Sequence, residues 1–398
     1  MLRRETDQER ICRYITKLDD WLLNCQWKAY DPFDGLNTRN SKWLTFDKTY
    51  LQIALQQTVR RFPINLRPLL GITRETSSKG MGFCALGYLA LYRATKNLEY
   101  LKKMEFCLNW LMANFCQGYS GYCWGNHFDY AARGGKIQKG VPSIVWTSLI
   151  ANSFFEAYEA LDNKEYFEVA RSACDVILND IGRYQDASDA ICLMYTPTNK
   201  NNPSFAGCIH NANVLGGWQL AKLYSHTGES HLLDLAKKSI RYTVKYQLPE
   251  GGWYYGEHKK FRWIDNFHTG YVLESIYGFI KATGDVEFKD SLIKGYDYFL
   301  FNFFHDDGLP KYYNYKTYPV DIQCASQAIQ TMVNLKEYSY ESIGLAKRVA
   351  LWTIENMMDP DGYFYFRKYP MVTNKTPMFH WGQATMLSAL GLLFENLQ

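Results

Sequence analysis

The sequence predicts an all-α (α/α)6 toroid, a closed ring of six helical hairpins with short β ribbons in its rim loops. Three observations lead there. A plan of aromatic and polar cluster, apolar helix, turn and second helix recurs at a period of roughly 60 residues. The first helix of each pair is apolar around most of its circumference and rich in small residues: Gly216, Gly217, Gly270, Gly278, Ala325, Ala328, Gly382 and Ala384. Such a helix is buried on most sides. The second helix carries more charge, as at Glu168, Arg171, Lys237, Lys238, Lys347 and Arg348, and belongs outside. Finally, the inner helix 381–396 has no partner after it, and the N-terminal helix 7–26 can complete the pair. Closing 7–26 against 381–396 makes residues 1–398 one domain; an open solenoid is the alternative.

Each element has its own signal. Helix 7–26 repeats Ile11, Tyr14, Ile15, Leu18, Leu22 and Leu23 at helical spacing. Pro32 and Asp34-Gly35 force turns in the loop Tyr30–Asn37. A helix over 46–60 ends before Pro63, and the apolar segment Asn65–Ile72 contains a single arginine, Arg67. The pairs follow: 82–95 with 98–115, 144–161 with 164–181, 210–227 with 230–246, 269–283 with 286–303, and 322–336 with 341–357. Their turns read Thr95-Lys96-Asn97, Asp162-Asn163, Thr227-Gly228-Glu229 and Thr283-Gly284-Asp285. Glycine turns with alternating aromatics, at 119–125, 251–257, 307–313 and 361–365, predict the β ribbons.

Composition narrows the function. Hydrophobic residues make up 47% of the 398, enough for a large core, and the 31 tyrosines suit stacking on sugar rings. A net charge of +4, evenly spread, argues against nucleic acid. No stretch approaches the ~18 apolar residues of a membrane span, and Met1–Asp7 has no apolar core like that of a leader. Ten cysteines without a CxxC pair fit reduced thiols and a cytoplasmic setting. No HExxH or close histidine pair supports a metal. Gly80-Met81-Gly82 and Gly134-Gly135-Lys136 lack the spacing of a phosphate loop, so no cofactor is expected.

In a toroid all inner-helix starts lie on one face, so the polar clusters before them should converge on one funnel. The run Phe261–Tyr271 is the richest: Asp265 and His268 fall at a helix start, where an acid can cap free N–H groups and still face a cavity. Asp265 with Glu257 or Asp321 could act as general acid and base on a glycosidic bond. That is the leading reading: a carbohydrate-active enzyme cleaving an oligo- or polysaccharide. Tyr255, Tyr271 and His268 suggest instead proton removal from a uronate sugar carbon, as in a lyase or C5-epimerase. A non-catalytic glycan-binding protein is the third reading. Substrate contacts are expected from Trp124, Asp129, His210, Asn213, Trp253, Trp263, Lys311, Tyr312, His380, Trp381, Arg67 and Asp34.

The repeated pairs with Thr-Gly-Asp-like turns and aromatic loops resemble the six-hairpin glycosidase superfamily over nearly the whole chain. The strings Tyr30–Asn37, Gly121–Gly125, Trp263–Tyr271 and Pro310–Tyr313 resemble those of bacterial proteins associated with surface-polysaccharide biosynthesis. The resemblance implies carbohydrate chemistry and no particular reaction.

Overall fold

The computed structural model describes residues 5–132, 134–197 and 207–397, so the first four residues of the N-terminal run lie outside it. The helices are α1 (Asp7–Asn24), α2 (Ser41–Thr45), α3 (Thr49–Arg61), α4 (Ser78–Thr95), α5 (Leu98–Ala113), α6 (Ile144–Leu161) and α7 (Lys164–Asn179). They continue with α8 (His210–Thr227), α9 (Ser230–Lys245), α10 (Asn266–Thr283), α11 (Lys289–Asn302), α12 (Ile322–Asn334), α13 (Ser342–Met357) and α14 (Thr385–Glu395). Contacts divide the chain into two compact units. One comprises residues 1–110, 304–312 and 316–398; the other comprises 111–303 and 313–315.

The hairpin turns have a common construction. α6, α8 and α10 each end on a left-handed residue: Asp162, Gly228 and Gly284. α4 does the same with Lys96. In three of these turns a threonine returns its hydroxyl to the carbonyl four residues back and accepts the N–H two residues on: Thr95, Thr227 and Thr283. Asn97 and Asn163, each just before the following helix, accept from the N–H of Glu99 and Glu165 at 3.0 Å, and Asp285 makes the same turn with the Glu287 N–H at 2.9 Å a few residues ahead of α11. A side-chain cap of this kind is worth about 1 kcal/mol.

In the second unit α6, α8 and α10 lie side by side, with α7, α9 and α11 packed on them. α8 is buried nearly throughout its first four turns, whereas α9 buries only one face. In the first unit α4, α14 and α12 form a comparable row, with α13 against α12 and α1 against α14. Close approach there depends on two glycines. A Cβ on Gly391 would sit 2.8 Å from the Gly87 carbonyl oxygen, and one on Gly87 would sit 2.9 Å from the Leu387 backbone.

The β ribbons are short and placed differently from the expectation. They pair Tyr130–Ala132 with Gly135–Ile137, Ile181–Gln185 with Ile191–Pro197, and Val320–Asp321 with Arg367–Lys368 and Thr373–Asn374. The glycine-aromatic loops contribute isolated bridges instead, such as Ile209 to Gly256 and Asp265 to Tyr313. Their glycines turn the chain, but their aromatics pack inward rather than alternate across a ladder. The last inner helix also differs: Phe379–Ala384 forms a π turn before α14 begins.

Candidate functional site

Asp265 organises the second unit's polar cluster. Its backbone is extended, so it stands just outside α10 with its side chain folded over the helix start. Oδ1 accepts the His268 backbone N–H at 3.0 Å. Oδ2 accepts both the Trp263 indole N–H at 2.8 Å and the His268 Nδ1–H at 2.7 Å. The Asp265 side chain is wholly buried, while that of His268 remains 21% exposed. Binding Nδ1 to a carboxylate fixes the tautomer and leaves Nε2 with its lone pair available. Tyr255 packs its ring 4.4 Å from the imidazole and stacks on Trp263 at 4.7 Å. Phe267 covers another side of the imidazole at 3.9 Å.

Asp265, Tyr255 and His268 line a small open recess with His210, Asn211, Trp253, Tyr254, Thr269 and Val272. His210 opens α8, and its backbone N–H donates to the Tyr255 carbonyl at 3.1 Å. Its ring is buried, and burial pulls its pKa down to about 4, so it is neutral at pH 7. His210 Nδ1 and Asn211 Oδ1 are buried without a hydrogen-bond partner among the described residues. Buried polar atoms are rarely left so, and two lining one recess give it a pair of unspent neutral groups. The Trp253 indole donates to the Thr243 carbonyl at 3.0 Å, which fixes its ring in the wall.

Other residues singled out from sequence have internal partners. Asn213 accepts from the Leu193 N–H and donates to the Ser239 carbonyl, each at 2.8 Å, so it ties α8 to the 191–197 strand and α9. Trp124 is fully buried, stacked between Tyr122 and Phe154, with its indole N–H on the Leu111 carbonyl. Asp129 accepts from the Lys139 N–H beside Lys136. Glu257 takes the Tyr242 hydroxyl. Tyr271 is buried one turn along α10, edge-on to Phe267.

The remaining candidates belong to the first unit and form their own buried cluster. Arg67 Nε donates to both Asp34 oxygens at 2.8 and 2.9 Å, and Nη2 to the Asp31 carbonyl at 2.7 Å. Burial raises Asp34 to about 6 even though Arg67 opposes it. Asp31 meets His380 Nδ1. Burial lowers the His380 pKa, and Asp31 works against that. Lys79, also buried, is lowered to about 8, again against Asp31. Asp321 caps α12 and accepts from Arg367 Nε at 2.5 Å and the Trp381 indole at 2.8 Å. The Arg367 guanidinium also lies over the Tyr312 ring at 5.3 Å. Lys311 is half-buried, and burial lowers its pKa.

The recess thus gathers His210, Trp253, Tyr255, Asp265 and His268 from the sequence candidates. Sequence reasoning grouped Asn211 with His210 before an inner helix, but it did not assign Tyr254 or Thr269 to the recess, nor Asp31, Lys79 or Arg367 to the first unit's cluster. Asn211 had a signal, since it directly follows His210 at the helix start. Lys79 gave none: a lysine in the first turn of a helix is ordinarily solvated. Among the described residues no three His, Cys, Asp or Glu side chains gather so as to hold a metal ion. No described helix is long and apolar enough to cross a membrane.

No family model and no curated protein sequence matches the chain. Solved structures do. A cellobiose 2-epimerase from Bacillus thermoamylovorans superposes with a TM-score of 0.63 at 15% identity, covering 81% of this chain and 88% of that one. A GH76 α-mannanase from Bacteroides thetaiotaomicron gives 0.59 at 15% identity, covering 81% and 86%. A possible GH105 family member from Salmonella enterica gives 0.64 at 11% identity, covering 100% and 97%. The fold is the (α/α)6 toroid that these structures share.

Proposed function

We propose that the protein is a carbohydrate-active enzyme that moves a proton at a sugar carbon, with His268 as base and acid and Asp265 as its positioning residue. The observation that carries this is the Asp265 hydrogen-bond set. Three N–H donors occupy the carboxylate, so it is built to orient an imidazole rather than to protonate a leaving group. His268 Nε2 then takes a proton from a carbon next to a carbonyl, a step that such a positioned base accelerates roughly 10²–10⁴-fold. Trp253, Tyr254 and Tyr255 supply faces for the sugar ring. Neutral His210 and Asn211 supply hydrogen bonds to its hydroxyl or carbonyl oxygens. The epimerase named among the structural neighbours acts on a sugar, which agrees with this reading.

Glycosidic cleavage is the second reading, favoured by the mannanase neighbour. It needs two carboxyl groups facing one bond across about 5–10 Å. Glu257 is committed to Tyr242, and Asp265 to three donors, which favours the first reading within this recess. We also infer a cytoplasmic setting, supported by ten unbridged cysteines.

Incubation with neutral and acidic oligosaccharides in deuterated water tests the reading. Deuterium on a sugar carbon without chain cleavage, or cleavage that leaves an unsaturated sugar end, is expected. New reducing ends with neither carbon-bound deuterium nor an unsaturated end would establish hydrolysis instead. Saturable binding without any product would make the protein a glycan binder.

A further inference from the structure

We propose that Cys208, with Cys192 as resolving partner, is a modification site: a thiol pair that hydrogen peroxide converts to a disulfide, shifting the wall of the recess. The two residues pack in one buried cluster with Ala190 and Tyr242. The Tyr242 hydroxyl of the same cluster donates to Glu257. Neighbouring Cys192 holds the Cys208 thiol below its ordinary range, while burial raises Cys192. Cys208 is 9% exposed and Cys192 wholly buried, so a small oxidant meets Cys208 first. An attacking thiol with stabilised thiolate next to a resolving thiol is the arrangement peroxide chemistry requires.

The Cys208 thiolate attacks one peroxide oxygen, the O–O bond breaks, and the departing hydroxide takes a proton to become water. Cys208 is then a sulfenic acid. The Cys192 sulfur displaces its hydroxyl, which leaves as a second water. The two thiols lose two electrons and two protons, and the peroxide gains both. Cytosolic disulfides of this kind are generally transient and regulatory.

Position makes the reaction consequential. The Cys208 carbonyl accepts from Glu257 N–H, Ile209 pairs with Gly256, and His210 N–H holds the Tyr255 carbonyl. Shortening a thiol contact to an S–S bond of about 2.05 Å pulls on this short ladder, which carries both His210 and Tyr255.

Two other pairs serve as internal rivals. Cys84 and Cys107 are wholly buried, and Cys116 and Cys123 lie in a loop of the same unit as Cys208. Peptide mapping of the full chain after hydrogen peroxide treatment, without reductant, tests the proposal. A Cys192–Cys208 cross-link that dithiothreitol reverses is expected. Cys192→Ser should instead accumulate a dimedone-trapped sulfenic acid on Cys208, and Cys208→Ser should show neither product. Hydrogen exchange across 208–210 and 255–257 should change on oxidation of the wild type only. Oxidation of Cys116–Cys123 with Cys208 still reduced, or no dimedone adduct in Cys192→Ser, overturns the site. A disulfide that leaves exchange in both segments unchanged overturns its coupling to the recess.

Discussion

At the scale of single residues, one carboxylate does two jobs. Asp265 caps α10 and orients His268. Capping alone would make Asp265→Asn a mild change, because Asn caps about as well as Asp. The structure alters that expectation. With the amide oxygen on the cap, the amide nitrogen faces the Trp263 N–H and the His268 Nδ1–H, donor against donor. Asp265→Asn should therefore flip the imidazole tautomer, cut turnover by roughly 10²–10⁴-fold, and cost about 1–3 kcal/mol for the buried indole N–H. His268→Gln should cut turnover as far with less loss of stability. Steady-state kinetics and urea midpoints on both variants check this. An Asp265→Asn protein with wild-type turnover would defeat the assignment.

His210 gives a pH prediction at the same scale. Its folded pKa, about 4, lies below its ordinary value of 6.5. The unfolded chain therefore binds the extra proton first as pH falls. The stability contributed by neutral His210 is complete above about pH 6.5 and lost progressively down to about pH 4, roughly 3 kcal/mol in all. Urea midpoints at pH 4.5 and 7 should differ more for wild type than for His210→Phe. Equal differences would mean that His210 charges freely in the folded state.

At the scale of elements, the first unit depends on how closely α4 and α14 approach. The Gly391 position leaves no room for a methyl beside the Gly87 carbonyl. Gly391→Ala should destabilise by about 1–3 kcal/mol through overpacking, outweighing the gain in helix propensity from replacing glycine. Gly344→Ala, in α13, is the control. The nearest atom to its added Cβ is the end of the Arg348 side chain at 3.8 Å, so propensity alone should act and the midpoint should rise slightly. A Gly391→Ala midpoint as high as that of Gly344→Ala would show that the helices can separate at no cost.

At the scale of the molecule, both chain ends build the first unit: α14 lies against α1, α4, α12 and α13. Truncation after Ala384 removes Leu387, Leu390 and Leu393, all wholly buried, at about 1.5–3 kcal/mol each. That approaches the total stability of an ordinary domain, about 5–15 kcal/mol. The truncated chain should lose protease resistance across α1 and α4. Undiminished resistance there would mean that α14 is dispensable. Because proteins of this fold carry unlike activities, the proposed chemistry rests on the recess and not on the architecture.

Local chemistry explains what could be read in the chain. Helix boundaries followed from apolar period and from the turn residues Lys96, Asp162, Gly228 and Gly284, which act within a few positions of themselves. Asp265 was legible as a cap, and His268 as its neighbour, because three residues at a helix start fix their geometry. The π turn at 379–384 was not legible, since an ordinary helical pattern covers it. Nor were the contacts of Arg67 with Asp34, Asp31 with His380, Asp321 with Arg367, or Cys192 with Cys208. Periodicity says which face of an element is buried but not which distant side chain it meets. The sequence alone determined the hairpins and the residue types at their starts. Tertiary structure decided which of those residues spend their hydrogen bonds internally, as Asn213 does, and which keep a buried atom without a partner among the described residues, as His210 and Asn211 do. That choice depends on distances between segments, which no local signal encodes.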